Sequence, residues 1–408
     1  MFLFGQLLRR LIKVGRFSVI DHSGRRHDFV GAPGPAITIR LNDAHVARAI
    51  ALNPQLRMGE AYMDGRIDFT EGDIHTLLDI AAINTGGEPV GLARWVKPLQ
   101  RLAKRWRQYN PVPRARRNAA HHYDLSGELY SIFLDTDRQY SCAYFASGND
   151  TLEVAQDSKK RHIAAKLLLT PGASVLDIGS GWGGLGLYLA RVGAGSVRGV
   201  TLSSEQHKVA NARAAQAGLA DKVAFELQDY RNVAGPFDRV VSVGMFEHVG
   251  ARHYREFFTK LRSLLKDDGV ALLHTIGRAD GPGVTNPWID KYIFPGGYSP
   301  ALSEVLPEIE RAGLYVTDVE VLRLHYAFTL AEWRRRFAAA RDRIKAIYDE
   351  RFCRMWEFYL AGSEIAFRRE GLVVFQIQIA RRIDAVPLTR DYIVDWERAN
   401  MATANLAV

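Results

Sequence analysis

Cysteine is nearly absent from the 408 residues. Cys142 and Cys353 are the only two, too few for a disulfide framework or a zinc cluster, which points to a reducing, cytoplasmic setting. Long apolar runs are missing as well: no stretch reaches the roughly 18 uncharged apolar residues of a spanning helix. Arg9 and Arg10 interrupt Met1–Phe17, and no small-residue cleavage site follows it, so a signal peptide is not expected. That segment reads either as an interfacial anchor or as an ordinary first helix packing Leu7, Leu8, Leu11 and Ile12. Acid is absent from residues 91–117, which carry nine Lys and Arg. Residues 1–120 hold 19 basic against 10 acidic side chains, so the whole net charge of +9 is N-terminal. Such an excess suits a phosphate-rich partner, either nucleic acid or an anionic bilayer. Base-stacking aromatics and a target-base pocket motif are both lacking, so no nucleic acid is expected.

What is present is the composition of a soluble globular protein, 47% apolar and 24% charged, with length for about two domains. Phe17–Asp21 and Ala36–Leu41 alternate as short strands around glycine and proline breaks. Residues 43–85 read as helical, divided by Gly65 and Gly72. From Arg94 to Arg107, Trp95, Leu99, Leu102 and Trp106 recur at helical spacing among cations, the pattern of an interfacial membrane helix or of a linker helix packed on its neighbour. Asn110-Pro111-Val112-Pro113 is a stiff linker. The expected division is therefore an N-terminal lipid- or membrane-binding α+β domain with a basic linker helix over 1–110, a catalytic domain over 115–385, and a tail over 386–408. Adjacent His121 and His122 with Asp124 do not make a metal site, because neighbouring side chains point apart and no second cluster supplies ligands.

The catalytic domain centres on Val175-Leu176-Asp177-Ile178-Gly179-Ser180-Gly181-Trp182-Gly183-Gly184. An apolar run ending in an acid and then glycines reads as a buried strand turning sharply into a helix whose free N–H groups face a ligand. A dinucleotide fold wants an acid about 20 residues on, at the end of the second strand. Here the strand Ser196–Val200 ends in Thr201-Leu202-Ser203, with no acid before Glu205. The pattern Asp-Ile-Gly-Ser-Gly-Trp-Gly-Gly instead resembles the first motif of class I S-adenosylmethionine-dependent methyltransferases. Strands Ser174–Ile178, Ser196–Val200, Val223–Leu227, Arg239–Val243 and Gly269–Ile276 alternate with helices from Trp182 and over Ser204–Ala217, as parallel βαβ units do. Ligands on such a sheet bind at the carboxyl ends of its strands. Residues 278–350 interrupt the alternation as a plausible lid, with a helix capped by Ser299 and Pro300 in its first turn. Leu314–Leu324 and Leu372–Ala380 suit a final antiparallel pair.

Seven blocks, HHYDLSGELY (121–130), QYSCAYF (139–145), LDIGSGWGG (176–184), GVTLSSEQ (199–206), GMFEHVG (244–250), LLHTIG (272–277) and KYIFPGGY (291–298), resemble in order and spacing the cyclopropane-fatty-acyl-phospholipid synthases and their mycolic acid cyclopropane synthase relatives. Ser180 stands where that family usually has Cys. The resemblance implies an α/β fold, a Rossmann-like seven-stranded methyltransferase sheet with a helical lid insertion, beside the small N-terminal domain. It implies S-adenosylmethionine as cofactor, bound by positions matching Tyr140, Ser141, Asp177, Gly179, Gly181, Thr201, Leu202 and Gln206, with Asp229 and Tyr230 at the adenine. Gln206 would bond the ribose that an acid usually holds. It also implies a bicarbonate ion held by Cys142, Glu247, His274, Ile276 through its backbone, and Tyr326, which collects a proton from a carbocation formed when a cis double bond of a phospholipid acyl chain attacks the sulfonium methyl. A homodimer at the inner face of the cell membrane, acting on a bilayer with unsaturated acyl chains, follows from the same resemblance. The same cation could instead leave as a methyl-branched or methylenated chain. A non-catalytic lipid carrier is hard to reconcile with an intact cofactor turn.

Overall fold

The computed structural model describes residues 1–87 and 127–401. The basic segment 94–107, the linker 110–113, the pair His121 and His122 with Asp124, and the end of the tail lie outside the described residues. The chain forms two compact units, one holding residues 1–87, 284–295 and 330–372, the other 127–283, 296–329 and 373–401.

In the first unit, β1 (Val14–Ile20) pairs antiparallel with β2 (Arg26–Val30) and parallel with β3 (Ala32–Leu41), and β3 pairs antiparallel with β4 (Ile67–Glu71). Helices α1 (Phe2–Leu11), α2 (Val46–Leu52), α3 (Pro54–Met63) and α4 (Ile74–Thr85) accompany this sheet. The first residues form a helix that packs on this unit, with Phe2 and Leu3 left exposed. Leu8 and Ile12 are buried in a core with Val19, Ile37 and Ile39, and Leu7 and Leu11 are packed against it. The stretch between Gly65 and Gly72, expected to be helical, is strand β4. Its five residues alternate too briefly to outweigh helical flanks in the sequence, and the partner strand decides: Ile67 and Phe69 pair with Leu41 and Ile39.

The long insertion expected as a lid carries helices as anticipated, but part of it packs with this unit. Trp288, in a short helix Pro287–Tyr292, is fully buried and its indole N–H meets Met63 Sδ at 3.3 Å. Ala361, in the helix Glu350–Arg369, belongs to the same core as Ile37.

The second unit holds α5 (Gly127–Phe133), α6 (Leu152–Lys166), β5 (Ser174–Ile178), α7 (Gly184–Arg191), β6 (Ser196–Thr201), α8 (Ser204–Gln216), β7 (Val223–Leu227), β8 (Phe237–Val243), α9 (Tyr254–Leu264), β9 (Leu265–Arg278), α10 (Leu302–Arg311), β10 (Tyr315–Val321), the start of α11 (His325–Ala339), β11 (Leu372–Ala380) and α12 (Asp391–Ala399). The seven strands lie in the order β10-β11-β9-β8-β5-β6-β7. Pairs β5–β6, β6–β7, β5–β8 and β8–β9 are parallel, and β10–β11 is antiparallel, as the closing pair was expected to be.

Alternation along each strand splits the core between two faces. Leu176, Val240 and Leu273 share one cluster with Phe257, Phe258 and Ile309 of α9 and α10. Their neighbours Val175, Val241 and Leu272 share another with Ile163, Leu185 and Ala210 of α6, α7 and α8. The chain runs outward from β5 through β6 and β7, then returns to β8 on the other side. The carboxyl end of β5 is therefore the point where strand order reverses, the crevice in which such sheets bind ligands. Helix α10 starts at Leu302, not at Ser299. Ala301 is extended: the Pro300 carbonyl before it accepts from Arg278 N–H, and the Glu304 carboxylate accepts from Ala301 N–H.

Candidate active site

The turn after β5 is built by its glycines. Gly179 and Gly183 have φ of 85° and 84°, a region L side chains rarely occupy. Gly179 and Ser180 N–H both donate to Val200 O, which binds the turn to the end of β6. A cavity opens here, and Tyr140, Ser141, Asp177, Gly179, Gly181, Thr201, Leu202, Gln206, Asp229 and Tyr230 all line it.

The side chains along its wall are partly committed and partly free to meet a ligand. Thr201 Oγ1 donates to Gln206 Oε1 at 2.9 Å, so the Gln206 carbonyl is engaged while its NH2 remains a donor. Ser203 caps α8 by accepting from Gln206 N–H. Asp229 accepts from Arg231 Nε and Nη2 at 2.8 and 2.7 Å, a forked pair that the sequence reading passed over although the two residues are near neighbours. Asp177 is buried, and its Oδ2 has no partner among the described residues. Burial pushes its carboxyl up to about 7, partly offset by the charge of Lys159. Ser180 Oγ is likewise buried and unpartnered. An orphaned acid beside a glycine turn at a switch point fits a ligand carrying a cationic amino group, which S-adenosylmethionine has.

The five expected anion-holding residues do not line that cavity. Two groups of them are brought together. Glu247, in a 3-10 turn after β8, accepts Ile276 N–H at 2.6 Å through Oε1, while Oε2 is buried and unpartnered. The Ile276 amide is thus spent on Glu247. Burial raises Glu247 to about 7 against the bond from Ile276. His274, one pleat before Ile276 on β9, is pushed down to about 3 by burial and stays neutral. Its Nδ1 accepts from Gln376 Nε2 at 3.2 Å, which leaves the proton on Nε2 as a donor. The His274 carbonyl accepts from Gly244 N–H, and Gly244 lines the cavity.

The segments that carry Cys142 and Tyr326 form the second group. Ala143 N–H donates to Thr329 Oγ1 at 3.0 Å, and Thr329 lies one turn beyond Tyr326 on α11. Cys142 is fully buried, and burial raises its thiol well above the ordinary value, so it remains protonated. Lys159, in α6, bears electrostatically on both groups, lowering His274 and Cys142, and on Asp177. Nothing in the sequence separates this buried lysine from an exposed one.

The topology and the glycine turn define a class I S-adenosylmethionine-dependent methyltransferase. Comparison with known proteins narrows this. Residues 112–377 match the family model described as mycolic acid cyclopropane synthetase, and residues 6–87 match a domain described only as of unknown function. The chain is 38% identical over 347 residues to the cyclopropane-fatty-acyl-phospholipid synthase of Escherichia coli K12, covering 85% of this chain and 88% of that one. It is 35% identical over 389 residues to the tuberculostearic acid methyltransferase UfaA1 of Mycobacterium tuberculosis, covering 92% and 90%. The solved mycolic acid cyclopropane synthase CmaA1, complexed with SAH and CTAB, superposes with a TM-score of 0.62 at 32% identity, covering 67% of this chain and 99% of that one. The chain belongs to the mycolic acid cyclopropane synthetase family.

Proposed function

We propose that the chain converts cis double bonds in phospholipid acyl chains into cyclopropane rings. The observation that carries this reading is a buried, unpartnered Glu247 oxygen on a side chain bonded to β9, the strand that also carries the neutral His274, whose carbonyl accepts from Gly244 at the cofactor cavity. When bound, S-adenosylmethionine supplies an electrophilic methyl group, and bicarbonate supplies a proton acceptor. With both held there, an alkene carbon would take that methyl as the methyl–sulfur bond breaks, and the resulting carbocation would close the ring as the anion takes one proton. The net addition is one methylene.

The chain's own residues have three tasks in this scheme. Glu247 Oε2 accepts the O–H of the anion, while His274 Nε2 and the Tyr326 hydroxyl donate to its other oxygens. The fully buried Cys142 helps keep water from a cation it would trap. Asp177 and Gln206 orient the cofactor. Among the described residues no helix is long and apolar enough to cross a membrane. In this reading the substrate is met at the surface of a bilayer, which the N-terminal basic excess suits, and the working form is a homodimer.

Expression in a host lacking ring-bearing lipids tests this. Acyl chains heavier by one methylene, with ring protons at high field by NMR, are expected, and Glu247→Gln should keep cofactor binding and lose product. Unchanged acyl masses overturn the reading. A heavier chain without ring protons favours a methyl-branched or methylenated product, the second reading, which the name of the UfaA1 relative supports.

A further inference from the structure

Helix α6 buries three lysines, and they are not alike. Lys160 donates to Asp137 at 2.7 Å and pairs with Asp157 at 2.7 Å, and Lys166 pairs with Glu320 and Asp318. Lys159, fully buried, pairs with no carboxylate among the described residues. Its Nζ donates instead to two neutral oxygens, Gln139 Oε1 at 2.7 Å and Ser141 Oγ at 2.8 Å. Gln156 Nε2 fixes the same strip from one turn earlier on α6, donating to Ser141 O at 3.0 Å.

A buried ammonium is costly unless something compensates its charge. The paired lysine next door shows that acids were available to this helix, so the lack of one at Lys159 is a feature of the site. Both of its acceptors line the cofactor cavity. Because Ser141 Oγ accepts from Nζ, its own proton is left to be given elsewhere. A fixed cation behind a cavity wall, with a hydroxyl polarised in front of it, is completed by an anion inside the cavity. The cofactor brings one carboxylate, on the same methionyl group whose ammonium suits Asp177.

We propose that Lys159 is a positioning residue for the methionyl carboxylate of the cofactor, acting through Ser141 and Gln139 without touching it. This rests on the cavity being the S-adenosylmethionine site. The charged and titratable groups that face Lys159 are Asp135 and Asp137 of the preceding loop, Cys142, Lys160 on its own helix, Asp177 of β5 and His274 of β9. Burial, only partly offset by the acids, brings Lys159 down to about 8. The charge is therefore full at neutral pH and lost in mildly alkaline solution.

The test compares two probes by calorimetry. S-adenosylhomocysteine has the amino-acid group, and 5′-methylthioadenosine lacks it. Lys159→Met should weaken S-adenosylhomocysteine by about tenfold or more, the loss of a charge-assisted hydrogen-bond relay, and leave 5′-methylthioadenosine within about twofold. Lys159→Arg should recover part of the loss. In the unaltered chain, affinity for S-adenosylhomocysteine relative to 5′-methylthioadenosine should fall as pH rises through about 8, a profile that needs no variant to fold. Equal weakening of both probes would mean that Lys159 only packs the wall, and unchanged binding of both, with a raised bicarbonate requirement for turnover, would mean that it serves the inorganic anion. Either result, or a flat pH profile, overturns the proposal. Failure of either probe to bind the unaltered chain overturns the cofactor-site reading instead.

Discussion

Replacing Glu247 by Gln should stabilise the folded chain at alkaline pH, and the size of the effect follows from its surroundings. The carboxyl is buried, one oxygen accepts Ile276 N–H, the other has no partner, and the group sits at about 7 against an ordinary 4.5. Carrying its charge in the folded chain therefore costs about 3 kcal/mol. The sign is that of a raised acid: between 4.5 and about 7 the unfolded chain has released a proton that the folded chain retains, so this contribution destabilises as pH rises. An amide keeps the acceptor for Ile276 and never ionises. Variant and wild type should thus be nearly equal at about pH 4.5, and the variant more stable by about 3 kcal/mol at about pH 8. Hydrogen exchange of the slowest β9 amides, measured across that range, reports on the unit that holds Glu247. A difference independent of pH, or a wild type that gains on the variant toward alkaline pH, would refute the burial argument. Enhanced stability with lost turnover would be the mark of a site that holds strain for function.

Asp177 gives a related expectation. The ammonium of S-adenosylhomocysteine should lower its pKa from about 7, so binding near neutral pH releases a proton, read as a dependence of the binding heat on buffer ionisation enthalpy, and absent in Asp177→Asn. Gly183→Ala should cost about 2–4 kcal/mol, since a Cβ there adopts a left-handed φ and meets Phe225 Cζ at 2.7 Å and Ala210 Cβ at 2.9 Å; denaturant unfolding with no change in midpoint would contradict it. His162 lies between Glu397 Oε1 at 2.8 Å and Glu320 Oε2 at 2.7 Å, and these carboxylates raise its pKa against burial and Lys166. Its stabilising contribution is present below its ordinary value and lost as pH rises through the raised one, so α12, which supplies Glu397, should lose exchange protection toward alkaline pH in wild type and not in His162→Gln.

Much of the catalytic unit was legible in the sequence by itself. Strands β5, β7 and β11 begin and end where the sequence pattern does: β5 and β11 are buried along nearly their whole length, and β7, at the sheet edge, alternates buried Val223 and Phe225 with exposed Ala224. The glycine turn was legible because only glycine fits its backbone, and the ten residues expected around the cofactor line one cavity because the carboxyl ends of parallel strands must converge there. Tertiary structure alone decided the rest. Strand β4 exists because β3 offers it a partner, and residues 284–295 and 330–372 join the N-terminal unit through Trp288, which meets Met63, and Ala361, contacts across hundreds of residues that no local pattern encodes. The Ile276 amide is claimed by Glu247, and Lys159 is buried without an acid while Lys160 beside it has two. Periodicity and backbone demands are written residue by residue, whereas the charge state of a side chain depends on what distant segments place around it, and that is settled only once the chain has folded.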